Sequence, residues 1–121
     1  MKHRPGSANL LNIRPKRSYQ WETEDGEQVV VLVPKFRSRF LAHWLLPRLR
    51  SPFFRVKLDA FGSYVWLCCS GDMTVGEIGR SLQSHFGERV EPVYQRLTVF
   101  INRLVQERFI HFSEHPDQHS G

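Results

Sequence analysis

Apolar positions change period along this chain, and each change marks an element. Tyr19 to Glu22 and Gln28 to Val33 are rich in β-formers, and Asp25-Gly26 between them is a hairpin turn signal. Val29-Val30-Val31-Leu32-Val33 is a continuous apolar run, which predicts a strand covered on both faces or nearly so, ended by Pro34. The period then becomes helical: Phe36, Phe40, Leu41, Trp44, Leu45 and Leu49 recur at helix spacing, with Pro47 breaking the segment, so a short helix ends near Trp44 or Leu45. After Pro52 the period returns to two. Phe54, Val56 and Leu58 fall on one side and Phe53, Arg55 and Lys57 on the other, which predicts a third strand with one buried face.

Three amphipathic helices follow, with marked boundaries. Asp59 is a natural N-cap for Ala60 to Cys69, whose inward side carries Phe61, Val65, Cys68 and Cys69, with Trp66 beside them. Gly71 fits its stop. Thr74 and Glu77 have capping-box spacing for a second helix that runs to about Phe86, with Val75, Ile78, Leu82 and Phe86 inward and Gly87 as the stop. Pro92 at a first helical position starts a third helix near Glu91, striped by Val93, Leu97, Phe100, Ile101, Leu104 and Val105. Phe109 to Phe112 reads as a closing strand or extended segment.

The elements define an α+β fold of winged-helix outline. A three-stranded antiparallel sheet precedes three helices, with a helix inserted between strands 2 and 3. The expected organisation is a basic arm over 1–16, one domain over 17–112 with 36–51 as the inserted segment, and a polar tail over 113–121. No run approaches the roughly 20 apolar residues of a membrane span. Two adjacent cysteines, Cys68 and Cys69, suit a reducing compartment, and the cytoplasm is the expectation. Charge is uneven: residues 1–57 hold twelve Lys/Arg against four Asp/Glu, and residues 58–121 hold five against eight. The basic field therefore sits away from the helices and favours anionic partners.

Catalytic chemistry finds little to stand on. There is no phosphate-binding glycine loop and no nucleophile–base pair, so neither an enzyme nor a cofactor is expected. His111, His115 and His119 fall at intervals of four, but Pro116 and the polar surroundings argue against a helix that could turn them toward one metal. Cys68 and Cys69 read as small buried hydrophobes.

The stretch Leu58 to Ile110 resembles the PqqD family. The resemblance is carried by Leu58-Asp59-x-x-Gly62-x-x-Val65-Trp66, then Ser70-Gly71-Asp72-x-Thr74-Val75-x-Glu77-Ile78, Phe86-Gly87, and Val93 to Leu104 at helical spacing. With the preceding strands it spans about ninety residues, Tyr19 to Phe112. The segment 36–51 and the basic arm are additions to the family pattern. The resemblance implies a peptide chaperone without catalysis. It would hold the leader of a ribosomal precursor peptide as an added strand beside the third strand, against the third helix, and present it to a modifying enzyme, in many members a radical S-adenosylmethionine enzyme. Mapped here, the edge is Phe53, Phe54, Arg55, Val56 and Lys57, and the groove wall is Tyr94, Leu97, Thr98 and Ile101. Leu97 and Ile101 read equally as core; Tyr94 and Thr98 flank the stripe. Arg55 and Lys57 suit acidic leader residues.

Two other readings stay open. A winged-helix DNA binder would use Gln95, Arg96, Asn102, Arg103 and Gln106 of the third helix, against Glu91 and Glu107. An adaptor would dock a folded partner, or a membrane surface, through the basic and aromatic segment 36–50. An exposed strand edge also allows a dimer as well as a monomer.

Overall fold

The computed structural model describes residues 10–35, 43 and 51–112. Apart from His43 and Ser51, the expected inserted segment lies outside the described residues, as do the first nine positions and the tail after Phe112. The elements are β1 (Pro15–Arg17), β2 (Gln20–Glu24), β3 (Gln28–Pro34), β4 (Phe53–Lys57), α1 (Ala60–Cys68), α2 (Val75–Phe86), a 3-10 turn (Gly87–Val90), α3 (Val93–Gln106) and β5 (Ile110–Phe112).

The hairpin forms where the turn chemistry put it. Asp25 and Gly26 both take positive φ, 50° and 87°, a region that glycine enters freely and aspartate tolerates. β2, β3 and β4 make one antiparallel sheet with β3 central. The register places Trp21, Val31 and Val56 side by side on one face, and Gln20, Leu32 and Arg55 on the other. Val29 and Val31 join the core beneath the helices, with Trp21, Val33 and Val56 packed against it. Val30, on the opposite face between Glu22 and Lys57, is also fully buried, so the run Val29–Val31 is covered on both faces as its composition predicts.

The helices obey their caps. Asp59 accepts the Gly62 N–H at 2.7 Å. Thr74 and Glu77 complete a reciprocal box: the Glu77 N–H donates to Thr74 Oγ1 at 3.1 Å and the Thr74 N–H donates to Glu77 Oε1 at 2.8 Å. That backbone donor holds the Glu77 carboxyl below its ordinary pKa. Such a cap contributes about 1 kcal/mol. Full burial of one aliphatic or aromatic side chain contributes about 1.5–3 kcal/mol. The fold is therefore held chiefly by Trp66, Ile78, Leu82, Leu97, Ile101 and Ile110, all fully buried.

Four expectations need correction. The arm over 1–16 is packed from Leu10 onward: Leu10 is in the core, and β1 pairs with β5 through Pro15↔Phe112 and Arg17↔Ile110. The chain from residue 10 thus belongs to the domain, drawn in by burial of Leu10 and by backbone pairing with the far end of the sequence. The third helix begins at Val93, because Pro92 has extended ψ of 109° and acts as the cap residue. Phe54 does not share the burial of Val56 and Leu58; it is 56% exposed, with Lys35 over its ring. Finally, Phe61, Cys68 and Phe86 are only half-buried, while Trp66, set beside the inward side of α1, is at its centre.

Candidate functional site

The direction of main-chain groups in β4 follows from two hydrogen bonds at its ends. The Leu58 N–H donates to Val29 O at 2.9 Å, and the Lys35 N–H donates to Pro52 O, also at 2.9 Å. In an antiparallel pair, residues alternate between bonding across the pair and turning their N–H and C=O to the opposite side. Pro52, Phe54, Val56 and Leu58 therefore face β3. Phe53, Arg55 and Lys57 turn their N–H and C=O groups outward. No strand pairs with that side of β4 among the described residues, and Arg55 and Lys57 side chains are 45% and 61% exposed. Arg55 and Lys57 thus present a short row of main-chain donors and acceptors along this side, while the Ser51 hydroxyl holds Phe53, accepting its N–H at 3.2 Å and donating to its carbonyl at 3.3 Å.

The side chains above this row are arranged differently from expectation. Arg55 reaches back across the outer face of the sheet, donating to Glu22 Oε1 at 2.9 Å and to the Glu24 carboxylate. Lys57 Nζ lies 3.5 Å from Glu24 Oε1. The Arg55 guanidinium holds the Glu24 carboxyl below its ordinary range, and the two glutamates raise the Arg55 pKa. An incoming acidic residue would thus compete with the sheet's own glutamates. On the inner face the ammonium of Lys35 stands 5.3 Å from the centre of the exposed Phe54 ring.

The far end of β4 is fastened by Ser63, a residue sequence reasoning did not single out. Its hydroxyl accepts the Val29 N–H at 2.9 Å and donates to Leu58 O at 3.2 Å, and Gln28 Nε2 adds a second donor to Leu58 O at 3.1 Å. Ser63 is 4% exposed, so its hydroxyl supplies a buried partner that Val29 would otherwise lack.

The expected groove wall on α3 divides. Leu97 and Ile101 are fully buried and belong to the core, because the centre of the apolar stripe packs inward on the side of the helix that meets α2. Tyr94 is half-buried, but it packs on α2: its hydroxyl donates to Gly76 O at 3.3 Å, and a Cβ on Gly79 would fall 2.3 Å from the ring. Thr98 is half-buried on the same helix. What borders the end of β4 is instead Phe100. Its Cζ and the Cβ of Leu58 lie 3.1 and 3.4 Å from where a Gly62 Cβ would stand. Phe100, Phe61, Val99, Arg96, Gln95 and Arg103 line an open, mostly apolar depression of about 450 Å³. Val99 is 70% exposed, an apolar residue outside the stripe, and that was the available signal. A second cleft of about 490 Å³ opens toward the β2–β3 turn at Gly26 and Glu27 and takes in Leu58, just after β4, with Ser63 and Tyr64 of α1.

The basic residues of α3 are already engaged. The Arg96 guanidinium sits 4.5 Å from the centre of the Phe61 ring and donates to Arg89 O at 3.1 Å. Arg103 donates to Glu107 at 2.8 Å within the helix. Cys68 and Cys69 are free thiols; burial pushes Cys69 up to about 12, so it stays protonated and unreactive. His111 accepts or donates a 2.8 Å bond with Ser18, while His115 and His119 lie outside the described residues. No helix among the described residues is long and apolar enough to cross a membrane.

The arrangement defines a class: an α+β domain whose antiparallel sheet is backed by helices and whose β4 has no strand on its outer side among the described residues. Residues 55–110 match the family model described as Coenzyme PQQ synthesis protein D (PqqD), and the chain carries a PqqD-like domain over that stretch. The match runs from the middle of β4 through α3 to the start of β5, leaving the β2–β3 hairpin outside it. Neither the curated proteins nor the solved structures gave a match.

Proposed function

We propose that this chain is a non-catalytic, winged-helix-like peptide-binding protein of modified-peptide biosynthesis. It holds a ribosomal precursor peptide as a strand added to β4 and presents it to a separate modifying enzyme, in the reducing cytoplasm where its two thiols stay reduced. The observation that carries this reading is the outward main-chain groups of Arg55 and Lys57, continued by Phe53 under the Ser51 hydroxyl, at an edge with no strand beside it among the described residues. A peptide laid there gains main-chain hydrogen bonds with little demand on its sequence. Each contributes about 1 kcal/mol net, and association costs at least about 4 kcal/mol. The edge alone therefore binds weakly, and side-chain anchors must supply the rest. Peptide residues opposite Phe54 and Val56 share the inner face with them. Phe54 and the depression at Phe61 and Phe100 are the apolar surfaces available to anchor such residues.

The radical S-adenosylmethionine enzyme as receiver of the peptide rests on the family resemblance alone. Docking through 36–50 concerns residues that, His43 apart, lie outside those described. DNA binding would require Arg96 and Arg103 to leave Phe61, Arg89 and Glu107 for phosphates.

The test is selection from a random linear-peptide display library on the full chain, followed by affinity measurements on two variants. Lys57→Pro removes an outward N–H from β4. Thr23→Pro removes one from β2, the opposite edge. The reading expects selected peptides to lose about tenfold in affinity or more on Lys57→Pro, from a lost hydrogen bond plus the ring's bulk, and to keep it on Thr23→Pro. Equal binding by both variants overturns it, as does a library that yields no peptide.

A further inference from the structure

An edge that has no strand beside it among the described residues, and carries an exposed aromatic, can also receive a second copy of itself. We infer that β4 pairs antiparallel with β4 of a second copy about a two-fold axis at Phe54, joining two three-stranded sheets into one. The inference does not depend on the peptide reading, since it concerns the protein alone.

The register follows from the chemistry of the pairs. Only Phe53, Arg55 and Lys57 turn main-chain groups outward, so only they can form the hydrogen-bonded pairs of a symmetric junction, with Phe53 exchanging its bonds to the Ser51 hydroxyl for bonds to the second copy. Centring on Arg55 sets Arg55 against Arg55, centring on Val56 sets Arg55 against Lys57, and centring on Lys57 sets Lys57 against itself. All three oppose like charges, which destabilises a pair. Centring on Phe53 leaves most of β4 unpaired. Centring on Phe54 sets Arg55 of each copy against Phe53 of the other. The two Phe54 rings then meet at a non-hydrogen-bonded position, where Cα atoms stand about 4.5 Å apart. A ring that is 56% exposed in the single chain is covered, on the same face of the joined sheet.

Charged side chains on an edge usually guard it against such pairing. Here Arg55 is turned inward over the sheet by Glu22 and Glu24, so its charge is opposed within its own chain. The contact is short, well under the roughly 800 Å² per partner of a standard interface. The dimer is therefore weak, rises with concentration, and occupies the edge a peptide would take.

Two measurements on the full chain test it. In sedimentation velocity from micromolar toward millimolar protein, wild type is expected to shift from monomer to dimer, while Phe54→Lys stays monomeric at every concentration. Phe54 is outside the core, and a circular dichroism spectrum confirms that the variant is folded. In a Cys68→Ser background, Phe54→Cys is expected to form an intermolecular disulfide under mild oxidation, because a Cα separation near 4.5 Å fits disulfide geometry. Arg55→Cys, opposite Phe53, is expected to form none. Wild type that stays monomeric, a Phe54→Lys protein that dimerises like wild type, equal cross-linking at both positions, or species growing beyond the dimer each overturn the inference. A monomer that still binds peptide through β4 overturns it and leaves the peptide reading standing.

Discussion

β2 and β4 are the two edges of one sheet, yet they are not equivalent surfaces. Both alternate, and both turn some main-chain groups outward: Phe53, Arg55 and Lys57 on β4, and by the same alternation through β3, Trp21 and Thr23 on β2. The difference lies in what their side chains are already doing. Trp21 is committed inward, edge-on to Trp66 with ring centres 6.1 Å apart, and the Arg17 guanidinium sits 4.2 Å from its ring centre. The chain just before β2 is also tied down, since the Ser18 N–H donates to Phe109 O. β4 carries Phe54 largely in solvent, and Phe61 and Phe100, the latter close to Leu58 just after β4, line an open apolar depression. Main-chain groups make an edge sticky, but apolar side chains left unused beside it make it a site.

The comparison can be broken in several ways. The largest effect is expected from Leu97→Ala, which tests whether the wall behind the edge is core. Its cost should be about 2–5 kcal/mol in chemical denaturation, as for other buried leucines; a loss below about 1 kcal/mol would return Leu97 to the groove. Ser63→Ala comes next. It strips a partner from the buried Val29 N–H, with an expected loss of about 1–3 kcal/mol. Amide exchange should quicken at the β3–β4 junction and not in the β2–β3 pair. The proline pair is third: Lys57→Pro should weaken peptide binding about tenfold, with Thr23→Pro near wild type. Reversal of that order would make β2 the recognition edge.

The smallest effect is acid sensitivity, and it links the two edges directly. Glu24 on β2 is held below its ordinary value of 4.5, mainly by its hydrogen bond from Arg55 on β4. A carboxyl with a depressed folded pKa contributes stability that is present above the unfolded value and disappears as pH falls through the folded one. Stability should thus decline below about pH 4.5 as this tie between the strands, together with the similarly depressed Glu77 cap, is protonated. Glu24→Gln should flatten part of that decline. An unchanged pH profile in that variant would remove Glu24 as a contributor.

Local chemistry was legible in the sequence because it is encoded locally. Asp25-Gly26, the Thr74–Glu77 box, Gly87 and the alternation of β4 each act within a few residues, and their elements stand where they point. The match over 55–110 agrees with the resemblance read from the helical spacings. Contacts between distant segments were not legible. β1 is only Pro-Lys-Arg, and it becomes a strand because Ile110–Phe112 comes to lie beside it. Arg55 looked free to meet a ligand because its partners Glu22 and Glu24 lie on a strand that is not its neighbour. A helical stripe does not say which flank faces which neighbour, so Tyr94 turned to α2 while Phe100 reached the end of β4.

The central claim is that the outward row of β4 receives the peptide. Amide hydrogen exchange of the full chain, at a concentration low enough to keep it dilute, tests this most directly with and without a library-selected peptide. Without peptide, the amides of Arg55 and Lys57 should exchange fast, and those of Phe54 and Val56 slowly. With peptide, Arg55 and Lys57 should become protected while Trp21 and Thr23 stay unchanged. Protection that appears at Trp21 and Thr23, or at neither edge, would contradict the account.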